Sequence, residues 1–293
     1  MNASQRPARL SVGVVGAGRV GTALGAALAL AGHRIVAVTA VSDTSRERAA
    51  ERLSGVPIAP PQEVVAEADL VLLTVPDDVL PVLVAGLVAT DVSMKGTLLA
   101  HTSGRYGIGV LGDATRAGAL PLALHPVMTF TGRSDDVNRL AGISFGVTAP
   151  EPLRPAAEAL VVEMGGEPVW IPEDRRTLYH AALASGANHL VTLVVESMEL
   201  LRAAGVANPG SMLGPLLGAA LDNALRLGID GLTGPVARGD AGTVADHIAE
   251  LGRISPAGRR AYVALARLTA DKALATGLLK AQDAERLLEA LAD

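Results

Sequence analysis

Leu10-Ser11-Val12-Gly13-Val14-Val15-Gly16-Ala17-Gly18-Arg19-Val20-Gly21 is an apolar run that breaks into spaced glycines, and Thr22-Ala23-Leu24-Gly25-Ala26-Ala27-Leu28-Ala29-Leu30 continues it with helix formers. The order is strand, glycine turn, helix. Gly16 suits a tight turn, Gly18 lets the backbone approach a ligand, and Gly21 lets the helix pack close to the strand. A helix begun this way aims free N–H groups and the positive end of its macrodipole at the turn. The spacing therefore predicts a seat for a dinucleotide pyrophosphate, with Arg19 and Val20 inside it.

Outward from this stretch, short β-rich runs recur at 34–41, 70–75, 97–101, 120–124 and 143–148, with a last one near 168–171. Helical stretches lie among them at 45–53, 78–87 and 152–164. Most of the runs are continuously apolar, as in parallel strands covered on both faces. Strand and helix in alternation call for an α/β fold with a doubly wound parallel sheet. After Pro172-Glu173-Asp174 nearly everything reads as helix. One long helix runs to about Ala204 with Gly205 as its C-cap, and another spans 211–227. A glycine- and proline-containing link over 229–240 leads to helices near 241–251, 256–273 and 281–291. The expected organisation is a cofactor domain over 8–173 and an all-α domain for substrate and dimerisation over 174–293.

The composition narrows the classes of function. With 49% hydrophobic residues and 2% aromatics, the core must be built from Ala, Leu and Val. A net charge of −5 without a Lys/Arg block argues against a general nucleic-acid surface. The absence of cysteine excludes disulfides, thiolate catalysis and Cys-ligated zinc, and no metal is expected. Met1 to Arg9 is polar and lacks the apolar core of a signal peptide. The stretch 177–195 approaches the length of a membrane span, but Tyr179, His180, Ser185, Asn188 and His189 suit a buried helix better. A soluble, cytoplasmic protein is expected.

Which dinucleotide binds is decided after the second strand. Asp43 would suit the ribose 2′-hydroxyl of NAD, whereas Ser42, Ser45 and Arg46 would surround the 2′-phosphate of NADP. The residue chemistry favours NADP, with Asp43 as counter-evidence; a plain helix start, capped by Asp43 or Thr44, is the bland reading. Thr74, Val75 and Pro76 end the third run and should line the cofactor crevice, while Asp77 and Asp78 suit a helix start.

Reduction of a carbonyl or imine needs a proton donor and a group to orient the acceptor. His101-Thr102-Ser103-Gly104 and His125-Pro126 end the next two runs and place polar groups at the same sheet edge. Either histidine alone reads as a strand-end hydrogen bond; one of the pair in a site is an equally good reading. On the long helix His180, Asn188, Thr192 and Glu196 fall at multiples of four, with Ala184 between, so they share a face. That stripe faces either a site or a polar seam. Within Leu232-Thr233-Gly234-Pro235-Val236-Ala237-Arg238-Gly239-Asp240, Arg238 would grip a carboxylate in bidentate fashion and Asp240 would cap a helix carrying Thr243 and His247.

These segments together resemble the 6-phosphogluconate dehydrogenase-like superfamily, which includes pyrroline-5-carboxylate and ketopantoate reductases. Within it the chain is similar to the Rossmann-like proteins that end in domain of unknown function 2520, through His101–Gly104, Leu124-His125-Pro126, Tyr179-His180-Ala181-Ala182 and the 232–247 segment. The resemblance implies a Rossmann domain, a helical domain that dimerises, and NADP-linked reduction of a small acid. Relatives that act on hydroxyacids or ketopantoate use a lysine on the first long helix. Here no lysine occurs between Lys95 and Lys272, and His180 stands about where it would be. The leading expectation is an NADP-dependent reductase of a small 2-oxo acid or cyclic imine. His180 would donate the proton, Asn188 and Ser103 would orient the acceptor, and Arg238 would bind its carboxylate. A non-catalytic NAD(P)-binding sensor or scaffold is the alternative.

Overall fold

The computed structural model describes residues 9–292, so the expected boundary at Ala8, the N-terminal segment before Arg9 and the end of the second domain at Asp293 lie outside the described residues. The chain forms two compact units, one reaching to Ala184 and one beginning at Ser185.

The first unit is a sheet wrapped by helices. In chain order it contains β1 (Ser11–Val15), α1 (Arg19–Leu30), β2 (Arg34–Thr39), α2 (Asp43–Arg52), α3 (Pro61–Ala66), β3 (Leu70–Leu73) and α4 (Leu80–Ala89). There follow β4 (Leu98–His101), α5 (Gly112–Arg116), β5 (Leu120–Pro126), β6 (Ser144–Thr148), α6 (Arg154–Glu163) and β7 (Glu167–Trp170). The seven strands lie in the order β2-β1-β3-β4-β5-β6-β7. Strands β1 to β5 are parallel, as expected. An all-parallel sheet, however, needs correcting: β6 runs antiparallel to β5, and β7 is parallel to β6. The link from β5 to β6 holds only short 3-10 turns at Ser134–Asp136 and Asn138–Leu140, so the chain turns back instead of crossing over. Helix α6 then supplies the crossover to β7.

The continuous apolar runs are explained by two cores. Val12, Val14, Leu70, Leu72 and Leu122 pack on one side of the sheet with Leu24 and Leu28 of α1. Val15, Val71, Leu73 and Leu99 pack on the other with Leu80 and Val84 of α4. Each strand thus buries alternate residues on opposite faces.

Helix α7 (Arg176–Ala203) begins in the first unit and ends in the second. The second unit continues with α8 (Pro209–Leu227), α9 (Pro235–Arg238), α10 (Ala241–Ile254), α11 (Pro256–Thr276) and α12 (Ala281–Ala290). Its core joins Val244 and Ile248 of α10 to Ala266 and Ala270 of α11 and to Ala284 and Leu287 of α12. Asp240 caps α10 by accepting from the Thr243 N–H at 3.1 Å, as its position implied. Gly205, at φ +89°, lets the chain leave α7.

The expectation of a buried helix at 177–195 is corrected. The apolar window of Glu173–Ala203, long and apolar enough to cross a membrane by length and composition, has none of its residues buried. Val191, Leu193 and Val195 are exposed on α7, as are Met212, Leu216, Leu221 and Leu225 on α8.

Candidate active site

Two of the three glycines in the first turn are fixed by the protein itself. Gly16 has φ +109°, and a Cβ there would stand 2.8 Å from the Thr74 carbonyl oxygen. A Cβ on Gly21 would collide with the Gly16 carbonyl and the Thr74 hydroxyl. Thr74 ties the turn to β3 by donating its hydroxyl to the Gly16 carbonyl at 2.6 Å. Gly18 is different: a Cβ there would meet nothing within 4 Å. Helix α1 starts beside it with no side-chain cap and no acidic residue in its first turn. Its first N–H groups thus take no side-chain cap, which fits the seat of a dinucleotide pyrophosphate.

At the end of β2 the cap expected from Asp43 or Thr44 belongs to Ser42, which accepts from the Ser45 N–H at 3.2 Å. The Ser45 hydroxyl donates back to the Ser42 carbonyl at 2.7 Å. Ser precedes the first helical residue, and a short hydroxyl reaches the third N–H more directly than a first-turn carboxylate does. Arg46 is exposed. Two arginines that the sequence reading passed over stand close by. Arg52 donates to the Gly132 carbonyl at 3.3 Å, and Arg48 Nε would lie 3.4 Å from a Cβ on Gly132. Arg19 reaches the Phe130 carbonyl at 3.5 Å. The loop that gathers them is remote in sequence, so no local spacing announced the cluster. Val75 is half-buried, and Pro76 is exposed with its carbonyl starting the turn into α4.

The carboxyl ends of β4 and β5 bring two histidines together with different roles. His101 is fully buried; its Nε2–H donates to the Gly107 carbonyl at 2.8 Å and its Nδ1 accepts from the Ser103 N–H at 3.2 Å. Both nitrogens are engaged in a pattern that only neutral imidazole can satisfy. Burial pushes His101 down to about 4 against the Gly107 hydrogen bond, and the charge of Arg176 adds to the fall. His101 is thus a pin for the 101–107 loop. Ser103 accepts from the Tyr106 N–H at 3.1 Å and keeps its own hydroxyl proton.

His125 stands in a cluster of side chains. Its Nδ1 is 2.8 Å from the Tyr179 hydroxyl, and its ring meets those of Tyr179 and His180 edge to face at 5.6 and 5.9 Å. Burial, then the charge of Arg176, then His180 push His125 down to about 4. A neutral His125 accepts the tyrosine proton at Nδ1. Gly104 makes the assembly possible, because a Cβ there would stand 2.7 Å from His180 Cδ2 and 2.9 Å from His125 Nε2. Gly146 does the same for Tyr179, whose hydroxyl and ring would collide with a Cβ on that glycine. Burial raises the Tyr179 pKa, with Arg176 opposing the rise.

The structure therefore joins His180 to His125 and, through Gly104, to the Ser103 loop. Asn188 and Arg238 belong to the second unit, and both are exposed. The lower part of the predicted stripe is a polar seam within that unit. Glu196 accepts from the Ser255 hydroxyl at 2.7 Å, and Thr192 and Glu196 line a groove of about 760 Å3 with Thr233, His247 and Tyr262. His247 Nδ1 lies 3.0 Å from the Tyr262 hydroxyl. A second groove of about 750 Å3 runs between α8, residues 228–233 and α11. Sequence reasoning missed Tyr179 and Arg176 as members of the cluster around His125. The signal was present: 176, 179 and 180 share one face of the first turns of α7.

A family model described as a Rossmann-like domain matches residues 1–126, and one described as a domain of unknown function, DUF2520, matches residues 143–269. No curated protein matches the chain. Among solved structures, a Bacteroides fragilis protein provisionally named an NADP oxidoreductase superposes with a TM-score of 0.75 at 23% identity, covering 90% of this chain and 98% of its own. A Thermotoga maritima protein gives 0.66 at 21% identity, with 90% and 99% covered. Pyrroline-5-carboxylate reductase from Streptococcus pyogenes gives 0.59 at 17% identity, with 90% and 98% covered. At these identities the likeness is one of fold.

Proposed function

We propose, on the premise that this chain belongs with the proteins joining a Rossmann-like domain to domain of unknown function 2520, that it is an NADP-dependent oxidoreductase. Its acceptor would be a small carboxylate-bearing 2-oxo acid or cyclic imine. One observation carries the reading. The cluster of Gly104, His125, Tyr179 and His180 stands at the carboxyl edge of the parallel strands whose first member bears the open, uncapped glycine turn. Ligands of open α/β sheets bind along that edge. The names of the similar structures, an NADP oxidoreductase and a pyrroline-5-carboxylate reductase, support the same reaction class.

The opening at Gly18 and the first N–H groups of α1 would hold the pyrophosphate. Arg46, exposed on α2, and Arg48 and Arg19, which meet at Gly132, favour the extra phosphate of NADP. When bound, the dinucleotide supplies the hydride. The chain supplies the proton and the geometry. His180, which meets the His125 ring edge to face, donates to the oxygen or nitrogen of the acceptor. Ser103 donates its free hydroxyl proton to orient the acceptor. Tyr179, whose hydroxyl donates to His125 Nδ1, forms one wall and holds the His125 ring beside His180. The exposed apolar flanks of α7 and α8 further suggest a homodimer that covers them.

NADPH consumption with a panel of 2-oxo acids and cyclic imines tests the reading. Turnover with at least one acceptor is expected, and His180→Ala should lower kcat by about 100-fold or more. The rise in Tm with NADPH should persist in that variant. No turnover with any acceptor, or an unchanged kcat in the variant, refutes it.

A further inference from the structure

Arg176 is buried, with 1% of its surface exposed. Its Nη1 donates to the Gly146 carbonyl at 3.2 Å, while Nε and Nη2 are buried without a hydrogen-bond partner among the described residues. Its neighbour in sequence, Arg175, stands 3.5 Å from Asp174, but Arg176 has no such ion pair. Glu173, the nearest source of negative charge on the same segment, is committed elsewhere. Its two oxygens accept from the Ile108 and Gly109 N–H groups at 2.8 and 2.9 Å. The other groups around the guanidinium are Tyr179, whose ring centre is 5.8 Å away, and His101 and His125. All three are neutral near pH 7.

Glu173 keeps its charge and acts on Arg176 through space, opposing the fall that burial imposes, but its oxygens are spent on the 108–109 N–H groups and leave Nε and Nη2 without an acceptor. A guanidinium cannot shed its proton, and buried N–H groups left without an acceptor are costly. The two idle nitrogens have a particular geometry. Nε and Nη2 present parallel N–H bonds along one side of the guanidinium plane, the edge that a carboxylate meets with both oxygens.

We propose that Arg176 binds the carboxylate of the acceptor, side-on through Nε and Nη2. The assignment to the acceptor rests on the reductase reading; the unpartnered Nε and Nη2 do not. Arg176, Tyr179 and His180 lie on one helix face, so an acid anchored at the first has its reducible carbon near the other two. Arg176 takes the part that residue chemistry alone gave to Arg238. The half-buried Tyr179 ring covers the guanidinium and must swing aside to admit the acid.

The test compares the Tm of the whole chain in sodium acetate, sodium oxalate and sodium chloride at equal ionic strength, with and without NADPH. The carboxylates should raise Tm above chloride by about 3 °C, saturably. Arg176→Met keeps the volume and removes the charge. It should match or exceed the wild-type Tm in chloride, lose the carboxylate response and keep the NADPH response. A variant that melts lower or fails to fold overturns the proposal, because the charge is then satisfied at rest. So does a carboxylate response that survives in the variant, or a wild type that does not distinguish carboxylate from chloride. A wild-type Tm unmoved by NADPH counts against the reductase reading alone.

Discussion

Acidification should destabilise this protein well before its carboxylates titrate, and His101 is the reason. In the folded state its Nδ1 faces the Ser103 N–H and its Nε2–H is held by Gly107, so a second proton has no place. Burial lowers its pKa from 6.5 to about 4. The unfolded chain therefore binds a proton at pH values where the folded one does not, and stability falls as pH drops through that window. The contribution is fully present above the unfolded value and is lost on the way down to the folded one. With about 1.4 kcal/mol per unit, the loss from His101 by about pH 4.5 is about 2.5 kcal/mol. His125, lowered to about 4 by burial and Arg176, adds a loss of the same order. Together they amount to a large share of a stability of about 5–15 kcal/mol. Urea unfolding at steps from about pH 7.5 to 4.5 measures this directly, and His101→Asn should reduce the slope by about one proton. A wild-type stability that is flat across the window, or a slope unchanged in His101→Asn, would refute the assignment of a neutral, doubly engaged imidazole.

Other expectations follow from the turn, the tyrosine and the helices. Gly18→Ala should leave Tm nearly unchanged, since its Cβ meets nothing within 4 Å, and should weaken the NADPH response where the proposed dinucleotide would lie. Gly21→Ala should lower Tm outright, by about 3 kcal/mol or more of stability, because backbone and Thr74 block the new methyl. Tyr179→Phe should lower kcat more than it raises KM, because the lost hydroxyl frees the His125 ring that meets His180; an unchanged kcat would assign the tyrosine to packing. Light scattering on the eluted peak should give twice the mass of the chain, and Leu216→Glu with Leu225→Glu should shift it to one copy. A monomeric wild type would leave the exposed flanks of α7 and α8 without the proposed cover.

How much could be read in advance differed between the two halves of the site. The glycine turn was legible because its elements are consecutive, and strand, turn and helix each leave a local signature. The parallel order of β1 to β5 followed from apolar runs that both cores now explain. The reversal at β6 was hidden because a strand returning through 3-10 turns carries the same apolar run as one arriving by a crossover helix. On α7 the stripe of every fourth residue was real, yet it mixes two environments: His180 meets His125, whereas Glu196 meets Ser255. Periodicity tells which residues share a face but not what that face meets. Arg176 escaped notice because an arginine near a helix start usually reaches solvent, and nothing in its neighbours declared that it would be buried without an acid. The contacts of Arg48 and Arg52 with the 130–132 loop join segments far apart in the chain and had no sequence signature.

The three glycines of the first turn answer to different judges. Positions 16 and 21 are enforced by the fold, so any descendant of this chain that still folds must keep them. Position 18 is enforced only by whatever occupies the space above it. In a lineage that abandoned its ligand, selection on position 18 would relax while the other two stayed fixed, leaving a folded protein with a side chain in the seat. The identity of that single residue in a relative is thus a record of occupancy, readable from a gene without a binding assay.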